Sequence, residues 1–490
     1  MRNLPAWLDS AAHDSPWHEL YACVAGIGVS GVAAARALAG LGAKVCVVDA
    51  RSGPAEEAAG AELAALGVDV RLADGDTLPD TAQLIVTSPG WRREVPLFAA
   101  AKAAGVPVWG EPELAWRLRK RGAAQWLVVT GTDGKTTTTL MLESMLRAAG
   151  LRTASAGNIG TALVDLVNGP YDVLAVELGS FQLHWSPSVA PAAAAVLNVA
   201  PDHLDWWGGS FTDYTAAKGL AFAHRETVAV GNADDPETLR LLARAPGRRV
   251  SFTLLSPRPH QLGIVEDLLV DRAFVDTPEE NAEELATLAD IPVPGPHNVA
   301  NALGAAALAR AFGVPASAVA KGLRTFTPAG HRIADVGEID GVRYIDDSKA
   351  TSPHAASASL TSFDSIVWIA GGLGKDIPFD ELVVAAAPRL RAVVLFGSCR
   401  AQIHDSITRH AADVPVVEVA EPETDDVNAI LDRVVAQAAA FAKPGDVVLL
   451  APAAASMDMF RDYKQRGDAF AAAVSRLSGA GERAPTRPGL

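Results

Sequence analysis

Apolar positions in this chain follow two rhythms. Short unbroken runs alternate with longer alanine-rich stretches in which apolar residues recur at helical spacing. The runs include Leu20 to Ala25, Lys44 to Val48, Leu84 to Thr87, Trp126 to Val129, Val173 to Val176 and Ala194 to Leu197. Unbroken apolar runs of this length, bounded by Gly, Pro, Asn or Asp, predict strands covered on both faces. Val32 to Leu41, Phe211 to Phe222 and Val299 to Phe312 predict helices between them. Strand–helix alternation of this kind gives α/β architecture with mostly parallel sheets.

Three blocks follow. Residues 1–114 form a Rossmann-like unit ending with a strand at Pro107 to Trp109. Residues 115–327 form a central unit, in which 251–288 reads as irregular, acidic and without a functional assignment. Residues 328–490 carry strands at Arg343 to Ile345, Ser365 to Ile369, Ala392 to Phe396 and Asp446 to Leu450, which predict a further open parallel sheet. The Gly-, Pro- and Arg-containing end from Ser478 onward reads as a disordered tail.

Length agrees with three blocks, since 490 residues at roughly 150 per domain give about three domains. The net charge is −15, from 57 acidic and 42 basic residues. With no Lys/Arg run apparent, that balance argues against nucleic acid as a main partner. Three widely spaced cysteines, Cys23, Cys46 and Cys399, fit a reducing compartment and core packing rather than a zinc site. No apolar h-region follows Arg2, and no apolar stretch is long enough to span a bilayer, so a soluble cytoplasmic protein is expected.

The chemistry concentrates at Gly131-Thr132-Asp133-Gly134-Lys135-Thr136-Thr137, between a strand and a helix. Backbone N–H groups and the positive end of a helix dipole form an anion cradle there. Lys135 adds a point charge for β/γ-phosphates, and Thr136 offers a Mg²⁺ ligand. The spacing departs from GxxxxGK[ST], since Gly131 lies only three residues before Gly134. A plain helix-capping turn is the bland alternative. Glu177 closes an apolar strand in the same block and suits a hard cation. Alone, it would be a solvated strand end. Gly26-x-Gly28-x-x-Gly31, followed by Asp49 at the second strand's end, fits a pyrophosphate turn. That motif leaves a nicotinamide dehydrogenase open, just as the phosphate loop leaves a non-synthetic ATPase open.

Gly131 to Thr137, Glu177 with Gly179-Ser180-Phe181-Gln182-Leu183, Asn198 to His203, Lys218, His297-Asn298 with Asn301, His331-Arg332, Asp347 to Thr351 and Gly371 to Lys375 stand in the order of one family. The chain resembles the Mur ligases from about Val24 to Gln465. Glu177-x-x-Ser180-Phe181-Gln182-Leu183 and the N-terminal glycine turn most resemble the members that add D-glutamate to UDP-N-acetylmuramoyl-L-alanine. A neighbouring amino-acid-adding member or a folate-type glutamate ligase is the runner-up. Asp133 stands where Asn is commoner, Gly179 where Ser is usual, and Ala50 where Thr could meet uracil.

The resemblance implies an acyl-phosphate ligase using ATP, two Mg²⁺ ions and a CO₂-derived carbamate on Lys218; a monomer is expected. It implies Lys135, His203 and Lys218 as catalytic, and Thr136, Glu177, His203 and Lys218 as metal-binding. Gly131, Thr132, Asp133, Gly134, Lys135, Thr136, Thr137, Asn298, Asn301, Arg332 and Asp347 would bind ATP. Val29, Ser30, Arg51, Gly90 and Asn158 would bind the uridine nucleotide, and Thr351, Lys375, Ser456 and Tyr463 D-glutamate. Without the resemblance, His203 and Lys218 would read as structural, Asn298 as a helix cap, Asn301 as a helix-face amide and Arg332 with Asp347 as a surface pair. Lys375 would read as a turn lysine and Ser456 as a helix cap.

Overall fold

The computed structural model describes residues 2–292, 295–327, 330–374, 378–420 and 427–481. Two compact units emerge, Met1–Pro292 with Val299–Phe326, and Val293–Asn298 with Thr327–Leu490.

The first unit holds two sheets. One is wholly parallel, in the spatial order Asp69–Leu72, Lys44–Asp49, Tyr21–Ala25, Leu84–Thr87, Val108–Gly110. Strand order reverses beside Tyr21–Ala25, and the loops at the carboxyl ends of the strands on either side of that point frame a ligand crevice. Gly31 explains the third glycine of the motif. A Cβ there would lie 1.8 Å from the Gly26 carbonyl oxygen, so only glycine lets the helix Val29–Gly40 start against the turn.

The second sheet has nine strands, in the order Glu283–Thr287, Leu268–Asp271, Gln261–Val265, Arg249–Phe252, Val228–Asn232, Ala193–Val196, Gln125–Thr130, Val173–Glu177, Thr153–Gly157. Its last seven run parallel, and Leu268–Asp271 pairs antiparallel with its neighbours on both sides. The segment 251–288 is therefore not irregular. It builds much of that edge, with Leu262, Leu269 and Leu285 buried in the main core. Short strands broken by Pro257 and Pro259 leave too little periodicity for a sequence reading.

The second unit carries six strands where four were expected. Their order is Ala334–Ile339, Val342–Asp346, Val447–Leu450, Ile366–Gly371, Leu390–Phe396, Val416–Glu418. The sheet is parallel except for the edge hairpin made by its first two strands. The helix Tyr463–Gly481 continues past Ser478, so the expected tail does not begin there, and the residues beyond 481 lie outside the described ones.

All three cysteines are free and buried. Among the described residues, no helix is long and apolar enough to cross a membrane. The expectation that no Lys/Arg run exists is wrong. Arg117, Arg119, Lys120 and Arg121 stand within five residues, their signal diluted by the acidic chain around them.

Candidate functional site

The strand Gln125–Thr130 delivers the phosphate loop to the head of the helix Lys135–Ala148. Two glycines make that turn possible, Gly131 at φ +154° and Gly134 at φ +79°. A Cβ on Gly134 would also lie 2.2 Å from Asn301 Oδ1, so the loop sits directly on that amide. Asn301 Oδ1 further accepts from Thr138 Oγ1 at 3.3 Å.

Not every loop N–H faces an anion, contrary to the sequence expectation. Asn198 Oδ1 takes the N–H of Thr132 at 3.1 Å and of Asp133 at 2.8 Å, while its Nδ2 donates to Asp133 O at 3.1 Å. The donors left for a phosphate belong to the first turn of the helix, where four N–H groups lack intrahelical partners. Asn198 is thus a loop brace that the sequence placed only at a strand end.

Lys135 folds back over the loop, its Nζ donating to Gly131 O at 3.0 Å and Thr132 O at 2.5 Å. Thr136 Oγ1 donates to Glu177 Oε2 at 2.8 Å, and Asn158 Nδ2 donates to Glu177 Oε1 at 3.1 Å. Hydroxyl and carboxylate oxygens side by side next to a phosphate cradle are the donor set a hard divalent cation prefers. Asn158, expected to contact the uridine substrate, is here a neighbour of that carboxylate.

Lys218 is fully enclosed, and its Nζ donates to Gly131 O at 2.6 Å. Burial drives its pKa well below the lysine range, Lys135 lowers it further, and Asp202 and Asp133 oppose the shift. Tyr214, one turn earlier on the same helix face, places its ring 4.5 Å from Lys218 Nζ and shares a 2.9 Å hydrogen bond with Thr132 Oγ1. The i, i+4 spacing of Tyr214 and Lys218 was the available signal for this second brace.

His203 sits at φ +50°, largely exposed, 3.4 Å from Asp202 Oδ2 and edge-on to Phe181. Among the described residues no group of three His, Cys, Asp or Glu side chains gathers as a ready metal cluster. Only Glu177 and His203 of the expected ligands belong to those types.

In the parallel sheet of the first unit, Val29 and Gly90 are exposed at the crevice and Ser30 is half-buried. Ser88 Oγ is buried there without a hydrogen-bond partner. Asp49 accepts from Ile27 N at 2.9 Å and from Arg51 Nη2 at 3.0 Å. Burial pushes this carboxyl up, but the Arg51 and Ile27 hydrogen bonds outweigh it and hold the pKa below the usual range. The acid that would receive a nicotinamide ribose is therefore occupied in locking the glycine turn.

In the second unit, Asn298 Nδ2 lies 3.0 Å from His297 Nε2. Burial and the Arg332 charge push the His297 pKa down to about 4, which keeps that imidazole neutral. Asp347 is buried, receives Ile333 N at 3.3 Å and the Ser359 hydroxyl, and has its pKa pushed up to about 7 by burial. The residues expected to bind D-glutamate are joined by one that sequence reading missed. Arg466, with no exposed surface, donates to Ser348 Oγ at 3.0 Å, Ser348 O at 2.8 Å and Ala454 O at 3.2 Å. Ser348 Oγ in turn donates to Tyr463 O at 2.8 Å. The segments bearing Thr351, Ser456 and Tyr463 are thereby tied together. Lys375 lies outside the described residues.

The chain matches three family descriptions along its length: a Mur ligase MurD-like N-terminal domain over 21–110, a Mur ligase middle domain over 129–309 and a Mur ligase glutamate ligase domain over 331–454. It is 58% identical to the UDP-N-acetylmuramoylalanine–D-glutamate ligase of Streptomyces avermitilis, over 94% of this chain and 99% of that one. Identity to the ligase of the same name from Mycolicibacterium smegmatis is 47%, covering 93% of this chain and 96% of the relative. Among solved structures, the UDP-N-acetylmuramate-alanine ligase of Thermotoga maritima superposes with a TM-score of 0.57 at 22% identity, covering 94% and 99% of the two chains. A pseudomurein peptide ligase of Methanothermus fervidus gives 0.55 at 17% identity, covering 94% and 100%.

Proposed function

This chain belongs to the Mur ligase family, and from that premise we propose that it joins D-glutamate to the carboxylate of UDP-N-acetylmuramoyl-L-alanine in the cytoplasm, consuming ATP. Residues 1–114 take the uridine nucleotide through Val29, Ser30, Arg51 and Gly90. Residues 115–327 take the ATP phosphates, and 328–490 take the amino acid.

The substrate carboxylate attacks the γ-phosphorus, ADP leaves, and an acyl phosphate forms. The amine of D-glutamate then adds to the acyl carbon, and the tetrahedral intermediate expels phosphate. The first step asks for placement and charge neutralisation more than for proton transfer. Lys135 and the first helical turn hold the phosphates. Thr136 and Glu177 would hold Mg²⁺, which supplies charge neutralisation at the transferring phosphoryl group when bound. His203 is the residue assigned to a second ion. Lys218, kept neutral by burial, is nucleophilic toward CO₂: an N–C bond forms, one C=O π bond opens, and the nitrogen loses a proton. The resulting carbamate turns an enclosed amine into an anion at the phosphate loop, where Lys218 Nζ meets Gly131 O. Asn298, Asn301, Arg332 and Asp347 make the remaining contacts to adenine, phosphate and ribose, and Thr351, Ser456 and Tyr463 the acceptor contacts.

The observation that supports this reading best is the Thr136–Glu177 contact at the head of the Lys135 helix. Substrate labelled with oxygen-18 in its free carboxylate tests it. Transfer of label into inorganic phosphate, dependent on D-glutamate, is expected. Product formation with unlabelled phosphate would remove the acyl phosphate from the account.

A further inference from the structure

At the opposite end of the central strand from the phosphate loop lies a groove of ≈ 550 Å³. Gln125, the first residue of that strand, lines it together with three separate stretches of the first unit. These are the N-terminal segment at Asp9 to Ala12, the linker from Trp116 to Ala123, and Ser188. Four of the lining residues are cationic, Arg117, Arg119, Lys120 and Arg121, and Asp9 is the one carboxylate among them. In a chain of net charge −15, the groove is a local reversal of sign.

The four cations are held differently. Arg117 is neutralised internally: Nε donates to the buried Glu113 carboxylate at 2.8 Å, and Nη2 to Ser188 Oγ at 2.5 Å. Arg119 has no such partner. Its guanidinium stacks 3.1 Å from the Trp116 ring centroid, and its Nε donates to the Trp116 carbonyl at 3.2 Å. No carboxylate lies within ion-pair distance of Arg119, Lys120 or Arg121 among the described residues. Burial alone pushes the Arg119 pKa down to about 10, with no acidic group pulling it back. Taking a guanidinium out of water without a counter-charge is unfavourable, and an arriving anion reverses that. The stacking also fixes the planar fork of Arg119, so its remaining donors are preorganised for a phosphate or carboxylate.

We propose that this groove is a binding site for a small polyanion, a metabolite bearing two or more clustered phosphate or carboxylate groups, separate from the phosphate loop. Concavity decides the size of the ligand. A volume of 550 Å³ falls in the usual range of about 300–1,000 Å³ for small-molecule pockets. Position decides the consequence. The groove touches the N-terminal segment, the linker and the central block together, so an occupant stabilises unit 1 as one body.

Isothermal titration of the full-length protein, with an unreactive ATP analogue and the uridine substrate saturating their own sites, tests this directly. Tripolyphosphate is the probe, and ADP and citrate are competitors. One-to-one binding at physiological salt is expected, weakened at least tenfold in Arg119→Gln and in Arg121→Gln. Arg121 is exposed, so its variant keeps the fold while removing the charge. Displacement by ADP marks a nucleotide source, and displacement by citrate a polycarboxylate source. No heat with tripolyphosphate, undiminished affinity in both variants, or affinity for polyglutamate alone would overturn the proposal.

Discussion

At the Thr130 end of the strand Gln125–Thr130, Lys135 and Lys218 both donate to the carbonyl of Gly131, and their charges oppose each other. At the Gln125 end, Arg119, Lys120 and Arg121 flank an open groove and share no backbone acceptor. The first arrangement forces a choice. Two cations on one buried carbonyl cannot both remain charged at low cost, and the enclosed one, Lys218, gives way. The second forces none, because Lys120 and Arg121 reach water and Arg119 keeps a pKa near 10. Enclosure, rather than the number of cations, thus decides which amine gives up its charge.

The largest effect that could break this comparison is at Lys218. Lys218→Ala should lower kcat/KM on the order of 10³-fold, about 4 kcal/mol. Formate or acetate added at high concentration should restore part of the rate, and CO₂-depleted buffer should lower wild-type turnover. A fully active Lys218→Ala enzyme, or one no carboxylate helps, would show that the buried amine is only structural.

A buried carboxylate elsewhere in the same unit gives a smaller, pH-dependent effect. Glu111 accepts Val164 N at 2.8 Å with Oε1, while Oε2 is buried without a partner, and burial pushes its pKa up to about 7. Its unfolded value is 4.5. Between those values the folded state binds more protons than the unfolded state, so stability falls as pH rises through the window. Glu111→Gln should gain up to about 3 kcal/mol relative to wild type between pH 4.5 and 7. Denaturant unfolding of both proteins at each pH measures it, and a constant difference would mean that Glu111 does not titrate there.

The smallest effect sharpens the contrast. In anion-free buffer, Arg119→Gln should change stability by less than about 1 kcal/mol, because its lost stacking on Trp116 is offset by relief of desolvation. A loss above about 2 kcal/mol would make Arg119 a structural pillar rather than a waiting donor.

Glycines and strand-end residues made much of the fold readable, because tight turns and unbroken apolar runs leave local marks. Gly31, Gly131 and Gly134 each occupy a position that a Cβ would clash with or strain, and the motifs flag all three. Bracing residues leave no such mark. Asn198 looks like any amide after a strand, and Arg466 like any arginine in a polar helix, yet each organises a loop through contacts distant in sequence. The edge strands from Arg249 to Thr287 escaped because their partners, not their own short sequences, determine them.

The most direct measurement is an acceptor panel: UDP-N-acetylmuramoyl-L-alanine, ATP and one amino acid at a time, scored for ADP release and product mass. D-glutamate alone should give a product heavier by one glutamyl residue, with ADP formed in equal amount and L-glutamate inert. Faster incorporation of L-alanine or diaminopimelate, or ADP release that needs no acceptor, would contradict the account.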